Sequence, residues 1–119
     1  MLVAAALLLA ACGQRYRAKQ LVDDFMDQNM TAPTSGVAYS KVDSTHYLTP
    51  QAVESMRRAV NSLPSYRSNI SYAEGKLPPC VYYIKVSYSQ KDASGKEKRH
   101  SQTFYFDQEA TRVIAFKDN

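Results

Sequence analysis

Val81 to Ser89 reads VYYIKVSYS, and its alternation decides the fold. Tyr82, Ile84, Val86 and Tyr88 fall on one side of an extended chain, and Lys85, Ser87 and Ser89 on the other. A period of two with one apolar and one polar side is the pattern of a strand with a packed face and a wet face. Such strands belong to antiparallel sheets, because parallel sheets are buried on both faces.

Working outward, Asp92-Ala93-Ser94-Gly95 predicts a hairpin connection. A return strand follows from His100 to Asp107, with Phe104 and Phe106 on a shared face. Gln108 to Thr111 turns the chain, and Arg112 to Lys117 forms the last strand, with Ile114 and Phe116 on one side. Upstream, Tyr66 to Tyr72 also alternates and predicts a strand through Tyr66, Ile70 and Tyr72.

Two helices precede this β-rich half. Thr49 is a good N-cap, Pro50 suits the first helical position, and Val53, Met56, Val60 and Leu63 make an apolar stripe that Pro64 ends. Arg15 to about Asn29 places Ala18, Leu21, Val22, Phe25 and Met26 on one face, with Lys19, Asp23, Asp24 and Asp27 on the other. Between the helices, TAPTSG (Thr31–Gly36) is a loop by composition and Val37 to Val42 a short strand. The expectation is an α+β fold: two helices packed on one face of a curved, mostly antiparallel sheet of four to five strands. This order of elements resembles the cystatin-like and NTF2-like groups of small folds.

The chain has 119 residues, of which 45% are hydrophobic and 22% charged, ordinary proportions for one globular domain. Its net charge is +4, but acids interrupt the basic residues, so a solvated surface is favoured over a nucleic-acid footprint.

The N-terminus carries a different message. Leu2 to Ala11 is unbroken apolar sequence, too short for a spanning helix, which needs about 20 residues. It has the length of an export-signal core, although no Lys or Arg lies between Met1 and the run. Leu9-Ala10-Ala11-Cys12 resembles the lipobox of bacterial lipoproteins. That resemblance implies a signal peptide over residues 1–11 and a single mature domain over 12–119, anchored to the membrane by a lipid (palmitate among its acyl groups) on Cys12. Gly13 rather than Asp after the cysteine resembles the sorting of lipoproteins to the outer membrane of the cell envelope. The basic run Arg15-Tyr16-Arg17-Ala18-Lys19, in place of an acidic one, favours its periplasmic face. Those cations could meet anionic headgroups, with plain helix surface the stronger reading. Acylation of Cys12 leaves Cys80 without a partner in its own chain, as a buried thiol or, alternatively, in an intermolecular disulfide.

Signs of chemistry are sparse. His46 and His100 have no second ligand at helical or strand spacing, so neither a metal nor any other cofactor is expected. Asp23-Asp24-Phe25-Met26-Asp27 resembles the DDxxD magnesium motif of prenyl synthases, but the chain is too short for their helical cavity, and a solvated helix face is expected. No Gly-x-Ser-x-Gly elbow occurs. Asp43-Ser44-Thr45 resembles an O-glycosylation acceptor with the sugar on Ser44; Asp and Ser are also ordinary turn formers.

Nine Tyr and no Trp suit a half-wet sheet first, with a sheet face that stacks on a sugar or receives a partner as the alternative. The function expected first is a non-catalytic interaction module for another envelope protein. Its surface would include Tyr83 and the hairpin residues Lys91, Lys96, Lys98 and Arg99. The alternative is a small-molecule or glycan pocket of the NTF2-like type, with a hydrolytic enzyme last.

Overall fold

The structure is a computed structural model that describes the backbone of residues 2–119 and the side chains from Gly13 onward. The lipobox cysteine Cys12 and the apolar side chains before it fall outside those described. The element order is α1 (Leu2–Asn29), β1 (Ser35–Tyr39), β2 (Asp43–Thr45), α2 (Pro50–Ala59), a 3-10 turn (Val60–Ser62), β3 (Val81–Lys91), β4 (Glu97–Phe106) and β5 (Val113–Asp118). The class is α+β, with two helices and an open, curved, antiparallel sheet of five strands.

The stretch that opened the sequence reading is the backbone of the sheet. β3 pairs with β4 over ten residue pairs, from Tyr82 opposite Phe106 to Lys91 opposite Glu97. On its other side it pairs with both β1 and β2, end to end. β5 closes the order β1-β3-β4-β5.

The inner face is dry. Ile84, Val86, Tyr88, Phe104, Phe106 and Phe116 are buried there against Ala18, Val22 and Met26 of α1. These α1 positions recur every four residues, which is why a single stripe of the helix disappears into the core. Phe104 and Phe116 stack with ring centroids 4.9 Å apart, and Phe25 meets both edge-on at 5.8 and 5.6 Å. Offset stacking and edge-to-face contacts are the favoured aromatic geometries, and here they fill the space between α1 and the sheet.

α2 runs beside β5. Thr49 caps it by accepting the Ala52 N–H at 3.1 Å. Val53 joins Val81, Ile114 and Ala115 in a second apolar cluster, with Met56 and Leu77 against it. The Arg57 Nε–H donates to the Ile114 carbonyl at 2.8 Å, so the helix occupies a backbone acceptor on the outer edge of β5.

Three stretches differ from the sequence expectation. Tyr66 to Tyr72 is not a ladder strand; Tyr66 makes one isolated bridge, to Met30. The end of α1 claims this segment: Arg67 N–H donates to the Asn29 carbonyl and Thr31 N–H to the Ser65 carbonyl. Asn69 then turns the chain at φ +58°. Tyr66, Ile70 and Tyr72 still pack on the core, so burial was legible where pairing was not. Conversely, Asp43-Ser44-Thr45 is a strand, opposite Tyr83, Tyr82 and Val81.

The expected strand at Val37 to Val42 is instead β1, a gap at residues 40–42, and β2. Across the gap Ser40 stands in for the ladder: its N–H donates to the Lys85 carbonyl at 2.9 Å and its hydroxyl accepts the Lys85 N–H at 2.8 Å. Irregularity of this kind on an edge strand discourages another chain from pairing there.

Candidate interaction surface and flanking clefts

β3 and β4 carry Tyr83, Lys91, Lys98 and Arg99, with Lys96 in the turn between them, and the register sorts the strand residues by face. Tyr83 lies on the outer face beside Tyr105, its partner across the ladder, with ring centroids 5.7 Å apart. Both are half-buried; Tyr105 packs against the Val53, Val81, Ile114 and Ala115 cluster beside α2, and Tyr83 lies outside that cluster. From this pair toward the hairpin the outer face presents Lys85, Ser87, Ser89, Ser101 and Arg99. Lys117 continues it on β5, opposite Thr103.

Arg99 is not a free docking cation. It donates from Nη1 to the Gly36 carbonyl at 2.8 Å and to the Ser89 hydroxyl at 3.2 Å, and from Nη2 to the Ser87 hydroxyl at 3.1 Å. Gly36 sits at φ +59°, and a Cβ there would lie 3.0 Å from Arg99 Nη1, so the glycine serves both the backbone turn and the arginine's seat. Arg99 thus ties β1 to the outer face.

The hairpin cations therefore do not form one patch. Lys98 is registered opposite Gln90, and its ammonium lies 3.6 Å from Asp92. Lys96 is exposed in the turn, where its N–H bonds the Asp92 carboxylate. The Ser94 hydroxyl, then the Lys96 and Ser94 N–H groups, hold the Asp92 carboxyl below the usual carboxylate range. Lys91 is exposed at the end of β3. With Lys98, Ser65, Gln90 and His100 it lines a cleft of about 400 Å³ at the base of the hairpin.

Ser44 is exposed on β2, at the sheet edge. Cys80 is a free, half-buried thiol just before β3. Of the DDxxD residues, Asp23 accepts a hydrogen bond from the Tyr39 hydroxyl, while Asp24 and Asp27 are solvated. Burial raises the Asp23 pKa, and Asp27 adds to the rise. Among the described residues no three His, Cys, Asp or Glu side chains converge to hold a metal. His46 is exposed, and His100 packs on Tyr88 with centroids 5.5 Å apart.

The N-terminal cations are mostly spoken for. Arg15 donates to the Ser40 and Tyr39 carbonyls, both at 3.3 Å, and Lys19 lies 5.2 Å from the centre of the Tyr39 ring. Only Arg17 of the three is without such a contact among the described residues and faces solvent.

One feature escaped the sequence reading: a pair of arginines between α2 and β5. Arg57 and Arg112 line a cleft of about 370 Å³ whose apolar wall is Val53, Leu77 and Ile114. Arg57 was legible in principle, since it stands four residues after Val53 and three before Val60, inside the apolar stripe. Arg112, just before β5, gives no comparable sign.

The chain matches no known family, no curated protein and no solved structure.

Proposed function

We propose that this is a lipid-anchored envelope protein that acts as a non-catalytic interaction module, docking an acidic surface of another envelope protein on the outer face of its sheet. The observation that carries the reading is the contrast between the two faces. Aromatic packing under α1 fills the inner face, whereas α2 packs on the outer face only at its Val81, Ala115 and Tyr105 end and leaves Tyr83, Ser87 and Ser101 partly exposed. Half-buried serines, whose hydroxyls already accept from Arg99 and Asn119, set beside two half-buried tyrosines give a pre-ordered polar surface that suits a polar contact. Lys85 and Lys117, with Lys91 at the tip, outnumber Asp43 and Glu97 across that face even without the tied Arg99, so charge complementarity points to an acidic partner.

A pocket of the NTF2-like type would need room between helix and sheet. Phe25, Phe104 and Phe116 occupy that volume, which favours docking on the surface.

The anchor reading rests on Leu9-Ala10-Ala11-Cys12. Gln14, two residues on, already donates to the Gln108 carbonyl in the β4–β5 turn at 3.2 Å. A lipid on Cys12 would therefore hold that end of the sheet close to the bilayer. The β3–β4 hairpin would stand at the far end of β4, about 30 Å away at roughly 3.3 Å per residue.

Fractionation of the native host tests the anchor. The wild-type chain is expected in the membrane with an acylated N-terminal Cys12, and Cys12→Ser in the soluble fraction. Membrane retention of Cys12→Ser, or an N-terminal peptide that begins at Met1 without acyl mass, contradicts it.

A further inference from the structure

The cleft between α2 and β5 contains a charge arrangement that the docking face does not use. Arg57 and Arg112 share it, and neither has a carboxylate partner; among the described residues the ion pairs are Arg58 with Glu54 and Lys98 with Asp92. Two guanidinium groups facing one small space repel each other unless an anion lies between them.

Both are held in place by backbone and ring contacts that leave donors unspent. Arg57 uses only Nε, toward the Ile114 carbonyl, and rests 4.3 Å from the centre of the Tyr72 ring. Arg112 uses only Nη2, toward the Lys76 carbonyl. The chain makes room for the second arginine at Gly75, where an added Cβ would come within 2.9 Å of the guanidinium carbon. Pre-set guanidinium groups with free N–H donors match the two oxygens of a carboxylate, and they lose little freedom on binding.

The rest of the lining restricts the ligand further. Val53, Leu77 and Ile114 offer an apolar wall, which calls for an apolar body attached to the anion. Glu54 also lines the cleft and brings its formal charge to about +1, which disfavours multiply charged ligands. At about 370 Å³ the space falls in the lower range of small-molecule sites. We propose that the cleft of Arg57 and Arg112 binds a small organic monoanion, a carboxylate carried on an apolar body. This site is separate from the outer sheet face, and its failure would leave the docking proposal standing.

The test is a titration of benzoate into the full-length chain in lipid nanodiscs, following the methyl NMR signals of Val53, Leu77 and Ile114. Saturable shifts at those methyls are expected, with benzyl alcohol and inorganic phosphate each at least about tenfold weaker, since each lacks one half of the recognition. Arg112→Lys keeps the charge but loses the planar fork, and should weaken benzoate about tenfold. Glu54→Gln changes an exposed side chain and should tighten benzoate severalfold. The proposal is overturned if benzoate gives no saturable shift, if benzyl alcohol or phosphate binds as well as benzoate, or if neither substitution alters the titration.

Discussion

At the scale of single residues, the turn between β4 and β5 shows two opposite uses of side-chain chemistry. Asp107 accepts hydrogen bonds from the Thr111 N–H at 2.8 Å, the Arg112 N–H at 2.9 Å and the Thr111 hydroxyl. Burial alone would raise its pKa, but these donors outweigh it and the carboxyl ends below its ordinary value. Asp107→Ala should cost about 2 kcal/mol near neutral pH in urea unfolding. Because the folded pKa is depressed, the carboxylate's contribution is complete above the unfolded pKa, about 3.9, and disappears as pH falls through the lower folded value. The gap between wild type and variant should therefore close in strong acid; a gap independent of pH would show that the loss is packing alone. Three residues along, Ala110 sits at φ +54°, where an L side chain is strained. Ala110→Gly should raise stability by about 0.5–1 kcal/mol, read as a higher urea midpoint, less than the full left-handed penalty because glycine has more freedom to lose in the unfolded chain.

At the scale of elements, legibility followed the source of each element's stability. β3, the hairpin and β4 are written in local alternation and turn residues, and they form where the sequence expects them. α2 is written in its cap and stripe: Thr49→Ala removes the acceptor of the Ala52 N–H and should lower stability by about 1 kcal/mol in urea unfolding, with helical content otherwise retained. An unchanged midpoint would mean that water replaces the cap. The alternation of Tyr66 to Tyr72 was misleading because a period of two reports which side chains face the core, not which backbone pairs with which. The Asn29 carbonyl and the Thr31 N–H took the bonds that a sheet partner would have taken, and Arg57 covered the edge of β5 where a further strand could have joined. β2 was hidden for the converse reason. Asp, Ser and Thr favour turns locally, and only the long free edge of β3 makes Asp43–Thr45 a strand. Of the surface residues, Tyr83 was legible from alternation, which also sends Lys98 and Arg99 to opposite faces; the tie of Arg99 to Gly36, Ser87 and Ser89 depends on strand pairing that spacing does not reveal.

At the scale of the whole molecule, the extents of 55 × 32 × 20 Å describe a long, thin body. One broad side of the sheet is shielded by α1, and the other is left to solvent except where α2 and Leu77 reach Val81 and Ala115. The larger apolar cluster lies on the shielded side, and the smaller one, Val53, Val81, Ile114 and Ala115, closes one end of the other. The uncovered side is what an envelope partner would meet, with the anchor end of the sheet at the bilayer and the hairpin pointing away. The most direct measurement is site-specific photo-cross-linking in envelopes of the native host, with a photoreactive residue placed in turn at Ser87, Ser101 and Lys117 on the outer face, and at Asp24 and Asn61 away from it. The account predicts the same acidic envelope protein joined to all three outer-face positions, to neither control position, and lost when Lys85→Glu is added. Adducts from Asp24 or Asn61 equal to those from the sheet, or none from the sheet at all, would contradict it.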